Sequence, residues 1–368
     1  PHDVTLYVSR ESFDINKTLY QCLAFRIKPI LFFTFLIAKL FPEILQSYMA
    51  SEQQRERYDI WQVVGAYPGG YLVSTLRGSV PVVVRTHGED IQKDIDLDYG
   101  KRLNATIEGR IKRVLHSADR VVALTKSVVD CYKELGVSDD NIVEIPNGID
   151  LDRFQKEINR DTIRKKYDIA QNVIVLLTVG RYHRKKDFDI IPKVARALKT
   201  EGVSFCWLVA GSNTEQLIPL CKQEEVGDVV KIIGEVDISQ SVDEQEGLKI
   251  PGDNLIDLYK CADIFVFPSR LETFGRVLIE AMASGACVVT TDAPGCRDVV
   301  KHKESGLLVR PGNINEFVSS IYLIEDSNVR QQLIQGGLRE VQKYGWDNII
   351  DAYEKLYDSL LLAHNGKK

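Results

Sequence analysis

A chain of 368 residues, 44% hydrophobic and 27% charged, has the composition of a folded protein with room for two ordinary domains, each with its own core. Its net charge of −5 contains no long block of one sign, which argues against nucleic acid as the main partner. The seven cysteines (Cys22, Cys131, Cys206, Cys221, Cys261, Cys287 and Cys296) are scattered and never form C-x-x-C, which suits a reducing cytosol; without a zinc-spaced Cys/His cluster no structural metal is expected.

In chain order, His2 to Val8 alternates and reads as a strand. The apolar segment Pro29 to Ala38, flanked by Lys28 and Lys39 and followed by Leu40 and Phe41, is shorter than the roughly 18 residues of a spanning helix. It reads either as a core helix or as one that touches a membrane surface through residues 28–41, so the chain is expected in the cytoplasm, free or at the inner face of the membrane. A polar helix (46–57), a strand (58–64), a Gly/Pro loop (65–70), a helix to Arg77 and a strand (80–85) follow. Thr86-His87-Gly88-Glu89-Asp90 then lies at a strand's carboxyl end, where open α/β sheets place ligands. Asp94, Asp96 and Asp98 alternate with Ile95 and Leu97 and read as a solvated face. A basic amphipathic helix (102–116) precedes a strand opened by Ala118-Asp119 and closed by Thr125. A helix (127–135), a short strand (141–145) and the breaker Pro146-Asn-Gly-Ile-Asp150 complete this half.

Residues 173–179 form a continuous apolar run of the kind found in doubly covered parallel sheets. Further strands at 205–210, 229–233, 264–267 and 288–291 alternate with helices, which means a second Rossmann-like domain. Ala262-Asp263 through Ser269 repeats the layout of Ala118-Asp119 through Thr125. The last helix (346–362) carries apolar residues at Ile349, Ile350, Tyr353, Leu356, Tyr357 and Leu360 to Leu362.

The stretch from Phe265 to Pro294 holds the densest chemistry. A helix starting near Gly275 leaves its first N–H groups without intrahelical partners, so its mouth can hold a phosphate, and glycine lets the phosphate come close. Glu272 stands at that mouth, and Glu280 lies about 7 to 8 Å along the helix. The two acids could accept hydroxyl hydrogen bonds on either side of a diphosphate, which is the layout of a nucleotide sugar. Pro268-Ser269 and Gly295-Cys296 read as loop architecture, and Arg184 and Lys185 as a solvated basic loop.

Glu-x7-Glu with this filling (E-TFGRVLI-E-AMASG) resembles the donor motif of the retaining group 1, family 4 glycosyltransferases. The resemblance implies the GT-B fold: two Rossmann-like α/β domains facing across a cleft, with the last helix crossing back onto the first. It divides the chain into an acceptor-side domain (1–147), a donor domain (148–345) and the returning helix (346–368). A strand like His2 to Val8 is usually the family's second, so the first strand, its glycine-rich loop and the first helix are expected to be missing. Arg181 and Lys186 match the family's G-R-x4-K pair, which clamps the phosphates, with Asp187 where glycine is usual. His87 matches a position that contacts the transferring sugar or its phosphate. The implied catalytic set is His87, Glu272, Arg181 and Lys186. The implied donor site adds Gly180, Phe274, Gly275, Arg276, Val277 and Glu280. The implied reaction moves a sugar, with retention and without metal or cofactor, from a nucleoside-diphosphate sugar (a UDP-sugar first) to a glycan, glycolipid or lipid-linked acceptor. The alternative is a sugar-nucleotide epimerase or a non-catalytic binding relative on the same scaffold.

Overall fold

The computed structural model describes residues 5–9, 26–30, 42–236, 242–243, 247–248 and 251–366. Strands β1 (Thr5–Ser9) and β2 (Arg26–Ile30) pair in parallel as a sheet of their own. Residues 29 and 30 therefore do not open the expected apolar helix. Pro29 lacks an N–H and disfavours helical backbone at Lys28, whereas an edge strand tolerates it. The rest of that segment, 31–41, and Cys22 lie outside the described residues.

Helix α1 (Pro42–Glu56) buries Leu45, Met49 and Glu52, one stripe at helical spacing. Next come β3 (Trp61–Val64), the single turn α2 (Tyr71–Val73), β4 (Val82–Arg85), α3 (Ala105–Ser117), β5 (Arg120–Ala123), α4 (Lys126–Glu134) and β6 (Ile142–Glu144). The four strands form a parallel sheet in chain order, β3-β4-β5-β6. Their alternation divides the core: Val82, Val84, Val121 and Ala123 pack with Ile111, Val114 and Leu115 of α3, while Val83 and Val122 face the other way.

The second half runs α5 (Arg160–Lys166), β7 (Ile174–Val179), α6 (Ile190–Thr200), β8 (Phe205–Ala210), α7 (Ile218–Gln223), β9 (Val230–Gly234), the small antiparallel pair β10 (Val242–Asp243) and β11 (Gly247–Leu248), and α8 (Asp253–Cys261). It continues with β12 (Ile264–Phe267), α9 (Arg276–Ala283), β13 (Cys287–Thr291), α10 (Cys296–Val299), β14 (Leu307–Val309), α11 (Ile314–Glu325), α12 (Ser327–Val341) and α13 (Trp346–Asn365). Six strands make a parallel sheet in the order β14-β13-β12-β7-β8-β9. Chain order reverses between β7 and β12, and ligands of such sheets bind outside the strand ends at that reversal. The sheet is buried on both faces, as the apolar runs of β7, broken only by the hydrogen-bonded Thr178, and β8 require.

The repeated Ala-Asp has a structural cause. Asp119 accepts a hydrogen bond from the N–H of Val82 on neighbouring β4 (2.8 Å), and Asp263 accepts one from Val175 on neighbouring β7 (2.8 Å). In each sheet the aspartate at the start of one strand pins the start of the next strand over.

Helix α13 crosses back to the first domain, where Ile349, Leu356 and Leu360 are buried against Val83, Val122 and Ile145. Tyr357 adds a hydrogen bond to Gln62 within β3. Replacing Leu356 by Ala should therefore cost about 2–5 kcal/mol, as for other buried leucines. Chemical unfolding would show this as an earlier transition of the first domain.

Candidate active site

The loops after β7 and β12 flank the reversal in strand order. Gly180 ends β7 and donates to Ala210 O (2.9 Å); a Cβ on Gly211 would come within 2.1 Å of Gly180 O, so only glycine fits where the two strand ends touch. Arg181 follows, exposed, and its charge acts on Tyr99 and His183. The next turn holds Arg184, Lys185 and Lys186 and is started by His183 Nδ1, which accepts from Lys185 N (3.2 Å). Asp187 closes it at φ 52, the left-handed conformation that glycine takes most readily and aspartate tolerates. The aspartate thus keeps the turn and adds an ion pair with Arg270 (2.9 Å); burial pushes its pKa up and Arg270 opposes the rise.

Lys186 pairs with Glu272 and lies over the Phe267 ring (4.8 Å). Ser269 Oγ lies 2.8 Å from the same Glu272 oxygen and 3.0 Å from Lys185 O, with its single hydroxyl hydrogen shared between them, so it builds the site itself and is more than loop architecture. Burial raises the pKa of Glu272, but Lys186, Lys185 and the hydrogen bonds outweigh it, and the net shift is downward. Gly295 presses on Glu272 so closely that a Cβ there would lie 2.3 Å from Glu272 O.

Gly275 starts α9 at φ 68, and Phe274 packs edge-on against Tyr344 (5.4 Å). One turn in, Glu280 is buried rather than on the surface; it accepts from Tyr259 Oη (2.8 Å) and from Arg276 Nε (2.9 Å). Burial raises its pKa, with Arg276 and Tyr259 opposing. Val277 is partly buried against the core.

Across the cleft, His87 is exposed and its backbone N–H donates to Asp90 Oδ1 (2.7 Å). Asp90 also accepts from Ala66 N (2.5 Å), tying the loop after β3 to the loop after β4. Loss of water around the His87 ring, together with Arg85, lowers its pKa, and Asp90 opposes; the imidazole is neutral at pH 7.

The two halves meet at the Glu272 loop. Gln92 Nε2 donates to Glu272 O (2.5 Å), and Thr125 Oγ1 donates to Thr273 O (2.9 Å). A Cβ on Gly88 would sit 3.3 Å from Thr273 Oγ1, so the His87 loop touches the same segment. Lys185 is buried, not solvated: its Nζ donates to Tyr99 Oη across the cleft (3.2 Å). Gln92, Tyr99 and Lys185 carry no motif that marks them in the sequence, because their partners lie far along the chain. For Thr125 and Ser269 the signal was present as the hydroxyl that closes each repeated strand.

Two tests follow from this geometry. Asp187→Gly should leave the melting temperature nearly unchanged, since relief of the left-handed backbone offsets the lost Arg270 pair, whereas Asp187→Val should cost about 1–3 kcal/mol in calorimetry. The Glu272 pair should also contribute stability above the ordinary glutamate pKa and lose it as pH falls through the lowered one. Wild type should therefore lose more stability than Glu272→Gln in denaturant titrations as pH falls below the ordinary glutamate pKa.

The sequence matches two family models: "Glycosyltransferase Family 4" over residues 1–153 and "Glycosyl transferases group 1" over 173–326. It is 29% identical over 309 residues to D-inositol 3-phosphate glycosyltransferase 1 of Catenulispora acidiphila, covering 81% of this chain and 71% of that one. It is 26% identical over 332 residues to N-acetyl-alpha-D-glucosaminyl L-malate synthase of Bacillus anthracis (88% and 81%). Among solved structures, sucrose-phosphate synthase of Thermosynechococcus elongatus matches with a TM-score of 0.72 at 22% identity, covering 93% of this chain and 82% of that one. Anabaena Alr3699/HepE in complex with UDP matches with a TM-score of 0.74 at 18% identity (94% and 88%). These two likenesses concern the fold, which is GT-B.

Proposed function

This chain belongs to the group 1, family 4 glycosyltransferases, and we propose that it transfers a sugar with retention, and without a metal, from a UDP-sugar to a hydroxyl of a glycan, glycolipid or lipid-linked acceptor. A nucleotide-sugar donor is the family's common ground, and the relatives reported above bear transferase and synthase names, not epimerase ones. UDP is first choice because HepE was solved with UDP and with UDP-glucose.

The observation that carries the reading is the meeting of the Lys186 loop and the Glu272 loop at the strand reversal, beside the α9 mouth. In this reading Arg181 and Lys186 hold the diphosphate, helped by the first N–H groups of α9 behind Gly275. An ammonium has three N–H donors, so Lys186 can keep Glu272 and still reach a phosphate oxygen. Glu272 then accepts from a hydroxyl of the donor sugar, and Glu280, oriented by Tyr259 and Arg276, from the ribose. Neutral His87 donates to the sugar or its phosphate from the other domain.

No carboxylate pair is assigned to a double displacement, because both glutamates are used in binding. The leaving phosphate oxygen takes the acceptor proton on the face that it vacates. Catalysis then comes from positioning and from cations aimed at the developing negative charge. Lys186→Ala and Glu272→Ala should each lower kcat by about 100-fold or more. Incubation with a nucleotide-sugar panel and acceptors, with the product anomer read by NMR, checks the outcome; wild-type turnover in both variants, or an inverted product, overturns the reading.

Glu280 allows a cleaner separation of binding from folding. Burial disfavours its charge, so the neutral isostere Glu280→Gln should melt at or above the wild-type temperature at pH 7. It should nonetheless bind the nucleotide about tenfold more weakly by calorimetry.

For the acceptor, a lipid-linked glycan is our first choice, on the sequence of residues 28–41 alone. No helix among the described residues is long and apolar enough to cross a membrane. Binding to anionic vesicles that Phe32→Glu abolishes would support this choice, and unchanged use of a lipid acceptor in that variant would remove it.

A further inference from the structure

Tyr99 stands where three elements of the site converge. Its loop is rigid: Asp94 and Tyr99 exchange two backbone hydrogen bonds of 2.9 Å, and Gly100 packs so closely that a Cβ would lie 2.1 Å from Gln92 O. The ring meets His183 edge-on (5.8 Å) and lies under Lys185 Nζ (4.6 Å to the ring centre). Its hydroxyl lies 3.3 Å from the point where a Cβ on Gly88 would stand, and Thr273 Oγ1 lies at the same distance from that point. The phenol oxygen is thus beside the His87 loop, the Glu272 loop and the cation loop together.

The direction of the Lys185–Tyr99 bond decides what the hydroxyl can do. An ammonium has no lone pair, so Lys185 donates and Tyr99 Oη accepts (3.2 Å). The phenol hydrogen is left over, and no acceptor receives it among the described residues. Burial, with Glu89, Glu272 and Asp90, raises the phenol's pKa against the pull of Arg181, so the hydrogen stays on oxygen at neutral pH. A held, unspent O–H donor beside Lys185 and within the field of Arg181 is suited to an anionic oxygen. Lys185 cannot be a surface cation here: Ser269 Oγ and Arg270 N fix its carbonyl (3.0 and 2.7 Å) while Tyr99 takes its ammonium.

We propose that Tyr99 is a substrate-binding residue of the first domain, held by Lys185, whose O–H donates to the terminal phosphate of the nucleoside diphosphate. This rests on the donor-site reading above and extends it: the acceptor-side domain supplies one of the leaving group's hydrogen bonds. Lys185 is a positioning residue that acts through Tyr99.

The test uses the full chain and calorimetric titration with UDP, GDP and ADP, followed by the monophosphate of whichever binds most tightly. Tyr99→Phe keeps the ring over Lys185 and removes only the oxygen. The expected result is about a tenfold loss of diphosphate affinity with monophosphate affinity unchanged, the effect of one hydrogen bond to a charged group. Lys185→Met should also weaken the diphosphate, and adding Tyr99→Phe to it should cost nothing further. If Lys185→Met does not fold, the diphosphate-to-monophosphate ratio of Tyr99→Phe decides alone. Wild-type affinity in Tyr99→Phe, equal losses for both nucleotides, or additive losses in the double variant would overturn the proposal and leave the donor site standing. A wild-type protein that binds none of the three diphosphates removes the donor site, and Tyr99's role with it.

Discussion

The pairing of buried Glu272 with half-buried Lys186 sets the terms for the whole cleft. A carboxylate taken out of water is costly unless a cation and hydrogen bonds meet it, and here Lys186 and Ser269 do so on one oxygen. To bring them together, the loops after β7 and β12 must end their strands side by side, which the strand order provides. The backbone then follows the charges. Gly180 and Gly211 let two strand ends touch, Gly295 lies flat on Glu272, and Asp187 adopts the left-handed turn that returns the chain after Lys186.

The same loop is also read from the other domain. Gln92 and Thr125 each hold a carbonyl of the Glu272-Thr273 segment, and Lys185 reaches Tyr99. The shape of the Glu272 loop therefore depends on both domains being in place. This couples the relative position of the domains to the geometry of the proposed diphosphate site through named hydrogen bonds.

Much of this was legible in the sequence. Period and apolar runs located the strands of both sheets, because a doubly covered strand must be apolar along its length, and β8 and β12 fall where the runs place them. Glu272 and Glu280 stood out because two acids flank a helix mouth, whereas Arg181 and Lys186 were marked by the family resemblance. Strand β14 has only three residues, too few for a period, and Pro29 sits in a strand that pattern alone assigned to an apolar helix. Lys185 and Tyr99 were invisible for another reason. A lysine in a run of basic residues looks solvated until the partner that buries it is known, and that partner lies on the other domain. Charge runs are averages over local sequence, and burial here is decided by a contact across the cleft.

The returning helix α13 has a consequence for how the chain comes to be folded. One face of the first sheet, through Val83, Val122 and Ile145, is closed by Ile349, Leu356 and Leu360. At ordinary synthesis rates those residues emerge roughly 200 positions later, about 10 to 40 seconds after the strands that they cover. In that interval Val83, Val122 and Ile145 lack the α13 side chains that, among the described residues, pack onto them. The second domain is made in the meantime, so the first domain's completion waits on the second, and the nascent chain is most open to aggregation or chaperone capture while its amino-terminal half has already been made.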